Sequence, residues 1–562
     1  MDIAIRIAGE AGQGVQTTGA ALVEVFARMG LYVFATRSYW SRIRGGLNWY
    51  DVRIADRELF SGRPHCDLLV ALTPFALEKL RGQSGEGAVV LFDGEKADDG
   101  VAALAFTKTA RELVSSKVMA NTVAAGAVFG VLGYDIDALV DYLEVAFSGK
   151  GEETVEKNIT CARRGAEMAR EADLGMGAVP EPVKSPSSVY SGSEAVGLSA
   201  AVAGVKAVFA YPMTPSTAAF TWLAGAADKY GIVVEQAEDE IAAANMACGA
   251  TYAGVPAMVT TSGGGFALMV EGLSLAGMLE LPLFIMNAQR PGPATGLPTR
   301  TGQEDLQFVI RAGHGEFARA VYAPGTVEEA YKITRIALET AHRYQTPVIM
   351  LSDQFLADMQ KNIRRLGEKI DPIDRHVLKS PPEDYVRYEP VEGGVSARAL
   401  PGSSAFVVVD SDEHDYAGHI TEDLDIRVRM VDKRLSKGAG LYDEALAPSF
   451  YGPKSAKHLL VCWGSTYGPL REAVDITNSR GGSTAMVHFS QVWPVNIEKA
   501  RRALRVRRRD NRSSRRVTLI EANATGQFAS LLREAGVLSE CGLVTRFDGL
   551  PFTGEELAER IR

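Results

Sequence analysis

The sequence predicts an α/β protein built as three successive domains with mostly parallel sheets. Apolar runs of strand length alternate with helical patterns along nearly the whole chain. Glycine- or proline-rich turns stand directly after several of those strands, where a helix begins. A Pro/Gly/Ser-rich stretch and a polar, irregular one interrupt the series, and 562 residues are too many for a single hydrophobic core.

The first domain is expected over 1–174. It opens with Ile3, Ile5 and Ile7 in strand alternation and runs into the turn GEAGQG, residues 9–14. A small-residue helix follows over 17–28 and closes at Gly30. Further strands are expected at 31–35, 67–72 and 88–92, giving a parallel sheet covered on both faces. The segment GMGAVPEPVKSPSS reads as an extended linker, 175–190. A second domain, 191–370, begins with the helix SEAVGLSAAVAG and contains the strands AVFA, VPAMVTT, LPLFIMN and TPVIMLSD. After an irregular connection, 371–402, a third domain over 403–562 starts with the strand AFVVVD and continues through HLLVCWG, TAMVHF and VTLIEAN.

Composition narrows the function classes. A chain that is 46% hydrophobic and 23% charged, with no polar low-complexity tract, is an ordinary globular protein. A net charge of −9 argues against a dedicated nucleic-acid binder. No apolar run has the length of a membrane span, and the N-terminus lacks the pattern of a signal peptide, so a cytoplasmic protein with no membrane partner is expected. Cys66, Cys161, Cys248, Cys462 and Cys541 stand far apart without a CxxC, which fits a reducing compartment and offers neither an iron–sulfur motif nor a zinc ribbon. Any electrons this chain handles must leave through another chain, and no metal site is expected.

Several segments can carry chemistry. The turn GEAGQG lets backbone N–H groups at Gly12 and Gly14 approach an anion at a helix N-terminus, although such glycines are as often purely structural. A nicotinamide reading fails because the spacing is G-x-x-G-x-G and the next strand ends in Ala35-Thr36-Arg37, with no acid for a ribose. Arg42 and Arg44, beside Gly45 and Gly46, suit a phosphate or carboxylate, or else a solvated turn. The loop YPMTPST, 211–217, follows a strand at the edge where open α/β sheets bind ligands, and its prolines hold Thr214. The acids Glu235, Glu238, Asp239 and Glu240 lead into a helix of Ala, Gly, Asn and Cys; any one of them can be a capping residue, but Glu240 stands at the mouth of a helix that must pack closely. A carboxylate shielded there is suited to acid–base work. Arg290 again follows a strand, and Arg300 is a second cation in the same Pro/Gly-rich loop; a guanidinium there can bind a carboxylate bidentately.

These segments in series resemble one family. YPMTPST, EIAAANMACGA, TTSGGGFALM, QRPGPATGLPTRTGQEDL, GHGE and LSDQFLAD look like the α subunit of 2-oxoacid:ferredoxin oxidoreductases, and VDKRLSK, WGSTYGP, HFSQVWPV and EANATGQFASLLR like its C-terminal domain. The first domain, with GEAGQG and RIRGG, is similar to the family's γ subunit, here fused ahead of α. The resemblance covers nearly the whole chain and implies a Rossmann-like γ domain, a thiamine-type pyrimidine-binding domain and a transketolase C-terminal-like domain.

It also implies roles. Glu240 matches the glutamate that hydrogen-bonds the pyrimidine nitrogen of thiamine diphosphate, favouring the imino tautomer that takes the thiazolium proton; Tyr211 and Pro212 match cofactor contacts. Thr214 and Arg290 match the residues that bind the 2-oxoacid carboxylate, with Asp239 and Glu238 as the competing registers for Glu240. No GDG…N segment for Mg²⁺ and diphosphate is present, and no cluster cysteines, which implies a β subunit carrying Mg²⁺, a [4Fe-4S] cluster and the rest of the cofactor site in an (αβ)₂ assembly. CoA is the implied co-substrate, with Gly12, Gly14 and Arg44 as candidate anion contacts, and ferredoxin the acceptor. The leading substrate is 2-oxoglutarate, on the likeness of the GPATGLPTRT loop, with Arg300 as the second cation and succinyl-CoA as product, as in a reductive TCA cycle. Pyruvate, branched-chain oxoacids and indolepyruvate are alternatives, as is a non-catalytic scaffold that docks an electron carrier. The basic run at 501–516 reads more readily as a solvated loop than as a partner-binding patch.

Overall fold

A computed structural model describes residues 1–40, 45–96, 98–507, 509 and 511–561. Its contacts divide the chain into two compact units. One holds Met1–Tyr190 with the short segments Met359–Arg365 and Thr553–Glu556; the other holds the remainder.

The first unit is built on an eight-stranded sheet. Its order is Ala102–Ala103, Ser84–Phe92, Cys66–Ala71, Asp2–Ala11, Gly45–Ala55, Tyr32–Ser38, Gln360–Ile363 and Ser188–Ser191. Ile3, Ile5 and Ile7 alternate along their strand as expected, and all three are buried under the helices Val15–Arg28 and Ala120–Leu132; the opposite face, with Ala4 and Ala8, packs on Pro74–Leu80. The sheet is mixed rather than parallel throughout. Asp2–Ala11 is parallel to Cys66–Ala71, but Gly45–Ala55 runs antiparallel to both Asp2–Ala11 and Tyr32–Ser38. Only six residues separate Ser38 from Gly45, too few for the crossover that a parallel pair needs. Gln360–Ile363 adds a strand from the end of the expected second domain, and Asn362 anchors it by accepting from the Val33 N–H (2.8 Å) and donating to the Leu31 carbonyl (2.8 Å). Residues 175–187 form no helix or strand, yet they are tied down: the Val183 N–H donates to the Gly30 carbonyl at 2.9 Å and the Ser185 hydroxyl to the Leu31 carbonyl at 2.9 Å.

The second unit contains two sheets. One has the order Gln491–Trp493, Ala320–Tyr322, Val348–Asp353, Phe284–Gln289, Ala257–Thr261, Ala207–Ala210 and Val233–Gln236, parallel except for the first strand. The other has the order Ser449–Tyr451, Thr484–Phe489, His458–Trp463, Arg516–Glu521 and Gly542–Thr545, again parallel except for its first strand. Gln491–Trp493 therefore leaves the C-terminal sheet and pairs with the other one. The expected strand AFVVVD does not form: residues 405–410 join no sheet, Phe406 is 80% exposed, and the Val407 carbonyl accepts from the Tyr252 hydroxyl (3.2 Å). A run of β-branched residues lowers the cost of extension without supplying a neighbouring strand. The basic run folds back on itself through a bridge between Val506 and Ser513; Arg501 donates to Asn511 (2.7 Å) and to the Gly536 carbonyl (2.8 Å), while Arg502, Arg505 and Arg516 are exposed. Among the described residues no helix is long and apolar enough to cross a membrane.

In the first unit the helices Ala120–Leu132 and Glu152–Glu171 touch backbone to backbone, because Gly126 faces the Ala162 carbonyl and Gly165 the Val123 carbonyl with no room for a β-carbon. Gly165→Ala should therefore destabilise the first unit by about 1–3 kcal/mol through overpacking, read as a lower urea midpoint. An unchanged midpoint would mean the two helices can separate freely.

Candidate functional site

The parallel sheet that begins at Ala207 reverses its direction of growth between Ala207–Ala210 and Ala257–Thr261: the chain adds Val233–Gln236 on one side, then Ala257–Thr261 and Phe284–Gln289 on the other. Such a switch point opens a crevice at the carboxyl ends of the strands. Four segments singled out in the sequence leave the sheet at that edge: 211–217, 238–240, 262–265 and the loop beginning at Arg290.

Glu240 is the first residue of the helix Glu240–Tyr252 and is 3% exposed. Asp239 caps that helix, its Oδ1 accepting from the Ala242 N–H at 2.7 Å, whereas Glu238 is exposed. The three neighbouring acids are thus separated by environment. Glu240 Oε1 is buried and finds no hydrogen-bond partner among the described residues. It faces the first turn of the helix Gly263–Leu268, where a β-carbon at position 265 would lie 2.6 Å from it and one at 263 would lie 2.5 Å from an Asp305 oxygen. Only glycine lets that turn pass between the two carboxylates.

The same edge collects other buried polar atoms without partners among the described residues: Thr260 Oγ1, Ser262 Oγ, Asn287 Oδ1 and Arg290 Nε. Buried polar atoms are nearly always satisfied, so their convergence on the ends of two adjacent strands is the signature of a ligand site. Arg290 donates from Nη1 to the Thr214 backbone carbonyl at 2.7 Å, which binds the two sequence-predicted carboxylate contacts to each other. Its guanidinium is held below its ordinary value by burial, against the nearby Asp305 charge. Burial pushes the Asp305 carboxyl up to about 6, opposed by the Asn287 amide, which donates to Oδ2 at 3.2 Å. Tyr211, 43% exposed, and the partly buried Pro212 lie in the loop leading to Thr214.

The long loop after Arg290 is fixed by the C-terminal part of the unit. Gln303, fully buried, donates to the Trp463 carbonyl (2.8 Å) and accepts from the Ala522 N–H (2.9 Å), and its own carbonyl accepts from Asn523 (3.0 Å). The Thr301 N–H donates to the Gly549 carbonyl at 3.1 Å, and Arg300 packs its stem on Gly549 while burial lowers its proton affinity. Asp353, at the end of its strand, accepts from Ser465 and from the Leu356 N–H (2.8 Å), and burial pushes its carboxyl up to about 6.

In the first unit, Gly12 and Gly14 both have left-handed backbone (φ 90° and 74°), and Gly14 precedes the helix Val15–Arg28 without a side-chain cap. The turn borders a cavity of about 310 Å³ whose lining includes Gly12, Gln13, Asp93, Lys117 and Asn121. Arg44 lies outside the described residues. Among the described residues no group of His, Cys, Asp and Glu is placed to hold a metal ion. Sequence reasoning missed Asp305, Asn287, Asp353 and Lys117. Asp305 precedes a helix and reads as a cap, yet its side chain makes no capping bond.

Comparison with known proteins places this geometry. Residues 4–168 match the family model described as pyruvate ferredoxin/flavodoxin oxidoreductase, and residues 199–433 the one described as pyruvate flavodoxin/ferredoxin oxidoreductase, thiamine diphosphate-binding. A 2-oxoglutarate:ferredoxin oxidoreductase from Magnetococcus marinus, solved with 2-oxoglutarate, coenzyme A and succinyl-CoA bound, is 30% identical with a TM-score of 0.91, covering 100% of this chain and 99% of that one. The 2-oxoacid:ferredoxin oxidoreductase 2 α subunit of Aeropyrum pernix is 29% identical over 100% of this chain and 97% of its own length. The 2-oxoglutarate oxidoreductase subunit KorA of Mycobacterium tuberculosis is 28% identical over 100% and 91%.

Proposed function

We propose that this chain, which belongs to the 2-oxoacid:ferredoxin oxidoreductase family, supplies the pyrimidine half of a thiamine diphosphate site and acts on 2-oxoglutarate. The single observation that carries the cofactor role is Glu240: a carboxylate oxygen buried, without a partner among the described residues, against a turn stripped of side chains. A pyrimidine ring nitrogen is the kind of group that fits it. When bound, thiamine diphosphate supplies the carbon nucleophile that attacks the oxo group and accepts the charge released on loss of CO₂. Glu240 holds the proton at the ring nitrogen and exchanges it as the ring changes tautomer. Tyr211 and Pro212 border the ring, and Arg290, braced by the Thr214 carbonyl and balanced by Asp305, holds the substrate carboxylate with the Thr214 hydroxyl.

The relatives that act on 2-oxoglutarate support that substrate, and Arg300 is the cation offered to its second carboxylate. CoA, bound in the Magnetococcus marinus relative, meets the turn at Gly12 and Gly14 and the nearby Lys117, with Arg44 as a further contact. A 2-oxoacid, CoA and oxidised ferredoxin give an acyl-CoA, CO₂ and reduced ferredoxin. A β subunit carries Mg²⁺, the diphosphate-binding GDG…N segment and a [4Fe-4S] cluster, in an (αβ)₂ cytoplasmic complex; the absence of that segment and of any CxxC from this sequence supports the division.

Glu240→Gln in the complete complex should lower kcat at least ~10²-fold, because an amide cannot exchange the proton. Asp239→Asn, which keeps a capping side chain, should leave turnover near wild type. The reverse pattern would move the role to Asp239. For the substrate, Arg290→Ala should reduce kcat/KM for every oxoacid by roughly ten- to a hundredfold, the loss of a charged hydrogen bond. Arg300→Ala should reduce it for 2-oxoglutarate selectively, shifting preference towards monocarboxylic oxoacids. Equal loss across a panel of oxoacids in Arg300→Ala would remove Arg300 from the second carboxylate.

A further inference from the structure

The second unit holds a group of buried cations that the candidate site does not use. Arg387, Arg398, Lys433 and Lys437 are 4%, 3%, 4% and 2% exposed. Among the described residues Glu280 is the one acid that forms an ion pair with any of them, taking Lys433 Nζ at 2.6 Å and Lys437 Nζ at 2.6 Å. Both lysines come from the helix Leu424–Glu444, and both arginines from the irregular connection before it. The neighbouring Arg434 is accounted for separately by Glu413 at 2.9 Å.

The guanidinium groups are under-used. Arg387 donates from Nη2 to Gln345 Oε1 (2.8 Å) and to the Glu280 carbonyl (3.4 Å), while its Nη1 is buried with no partner among the described residues. Arg398 makes one long bond, Nη1 to the Thr251 carbonyl at 3.4 Å, and leaves both Nε and Nη2 buried without partners among the described residues. His342, 1% exposed, stands at the end of the helix Val327–Tyr344 three residues before Gln345, and neither ring nitrogen has a partner among the described residues. These groups feel one another. Burial, then the charges of Arg398 and Arg375, push His342 down to about 3; burial, then Arg387 and Arg375, hold Arg398 down to about 10.

A guanidinium does not surrender its proton, and a buried charge needs an opposite charge or a full set of hydrogen bonds. The carbonyls at the end of the helix Glu240–Tyr252 offset part of the excess, since Arg398 reaches Thr251 and Arg375 reaches Gly254 (2.9 Å). The Tyr388 ring takes part of the rest, 4.5 Å from Arg387 and 5.7 Å from Lys433, and burial brings Lys437 down to about 7. Three cations besides Lys437 against one carboxylate still leave unspent N–H groups and net positive charge together.

We infer that Arg398 and Arg387, beside His342, bind a small inorganic anion of the halide class that neutralises this cluster and locks the irregular connection onto the sheet domain. The inference is independent of the proposed catalytic role. It is tested with the full chain purified with its partner subunit. Crystals grown in sodium bromide should show an anomalous bromide peak in contact with Arg398 Nε or Nη2. Thermal unfolding in sodium chloride should lie at least about 1 °C above that in sodium gluconate of equal ionic strength, as expected when a ligand binds the folded state alone. The difference should vanish in Arg398→Met. A water without anomalous signal at that position overturns the inference whether or not Arg398→Met folds, and so does a chloride response that survives in that variant.

Discussion

A carboxylate oxygen buried without a partner is costly, about 1–3 kcal/mol for an unmet hydrogen bond and more if the group is charged. Glu240 Oε1 imposes that cost, and its surroundings look arranged to keep the oxygen unmet. Asp239 takes the capping role, so Glu240 is not consumed by its own helix. The buried face of the helix Glu240–Tyr252 is made mostly of small side chains, so it lies close to its neighbours; Ala243, Ala244 and Ala247 are wholly buried, while Ile241 and Met246 face outward. A β-carbon at Gly263 would collide with Asp305, and one at Gly265 with Glu240. The helix N-terminus adds a favourable field for a negative charge at that position. Each of these features is uninformative alone; together they leave one directed acceptor facing a space bounded by backbone.

The second constraint is on the loop after Arg290. A Pro/Gly-rich segment of this length would be mobile if it lay on the surface, and a mobile loop cannot place a cation to better than a side-chain length. Here the C-terminal sheet fixes it. Gln303 is shared between the ends of His458–Trp463 and Arg516–Glu521, Thr301 and Arg300 rest on the turn at Gly549, and Asp353 meets Ser465. The C-terminal sheet therefore clamps the loop that carries Arg300, through backbone and amide bonds that tolerate no large change of position.

Much of this was legible before the structure. Strands of such sheets announce themselves as short apolar runs, and eleven of the twelve expected ones lie where the pattern put them, because burial on both faces demands that composition. Glu240 could be singled out because a helix of small residues is an unusual neighbour for an acid. The failures have physical causes. AFVVVD has strand composition but no neighbour to pair with, and pairing is a property of the fold rather than of the segment. Gln360–Ile363 is a strand only because residues 32–38 offer it an edge. Asp305 and Lys117 carry no local signal, since each acquires meaning from a group distant in sequence: Asn287 and Arg290 for one, the Gly12 turn for the other. Residue type and spacing reveal what a strand end can present, but not which ends converge.

The central claim is that the Glu240 carboxyl exchanges a proton with the ring nitrogen of a bound pyrimidine. The most direct test replaces the partner atom rather than the protein. The complex proposed for this chain and a β subunit would be loaded with a thiamine diphosphate analogue whose pyrimidine nitrogen, proposed to face Glu240, is replaced by carbon, and 2-oxoglutarate-dependent ferredoxin reduction measured. The account predicts that the analogue binds in competition with the natural cofactor and supports at most about 1% of its turnover, the loss of one general acid–base contact. Turnover by the analogue at a rate near that of the natural cofactor would contradict it.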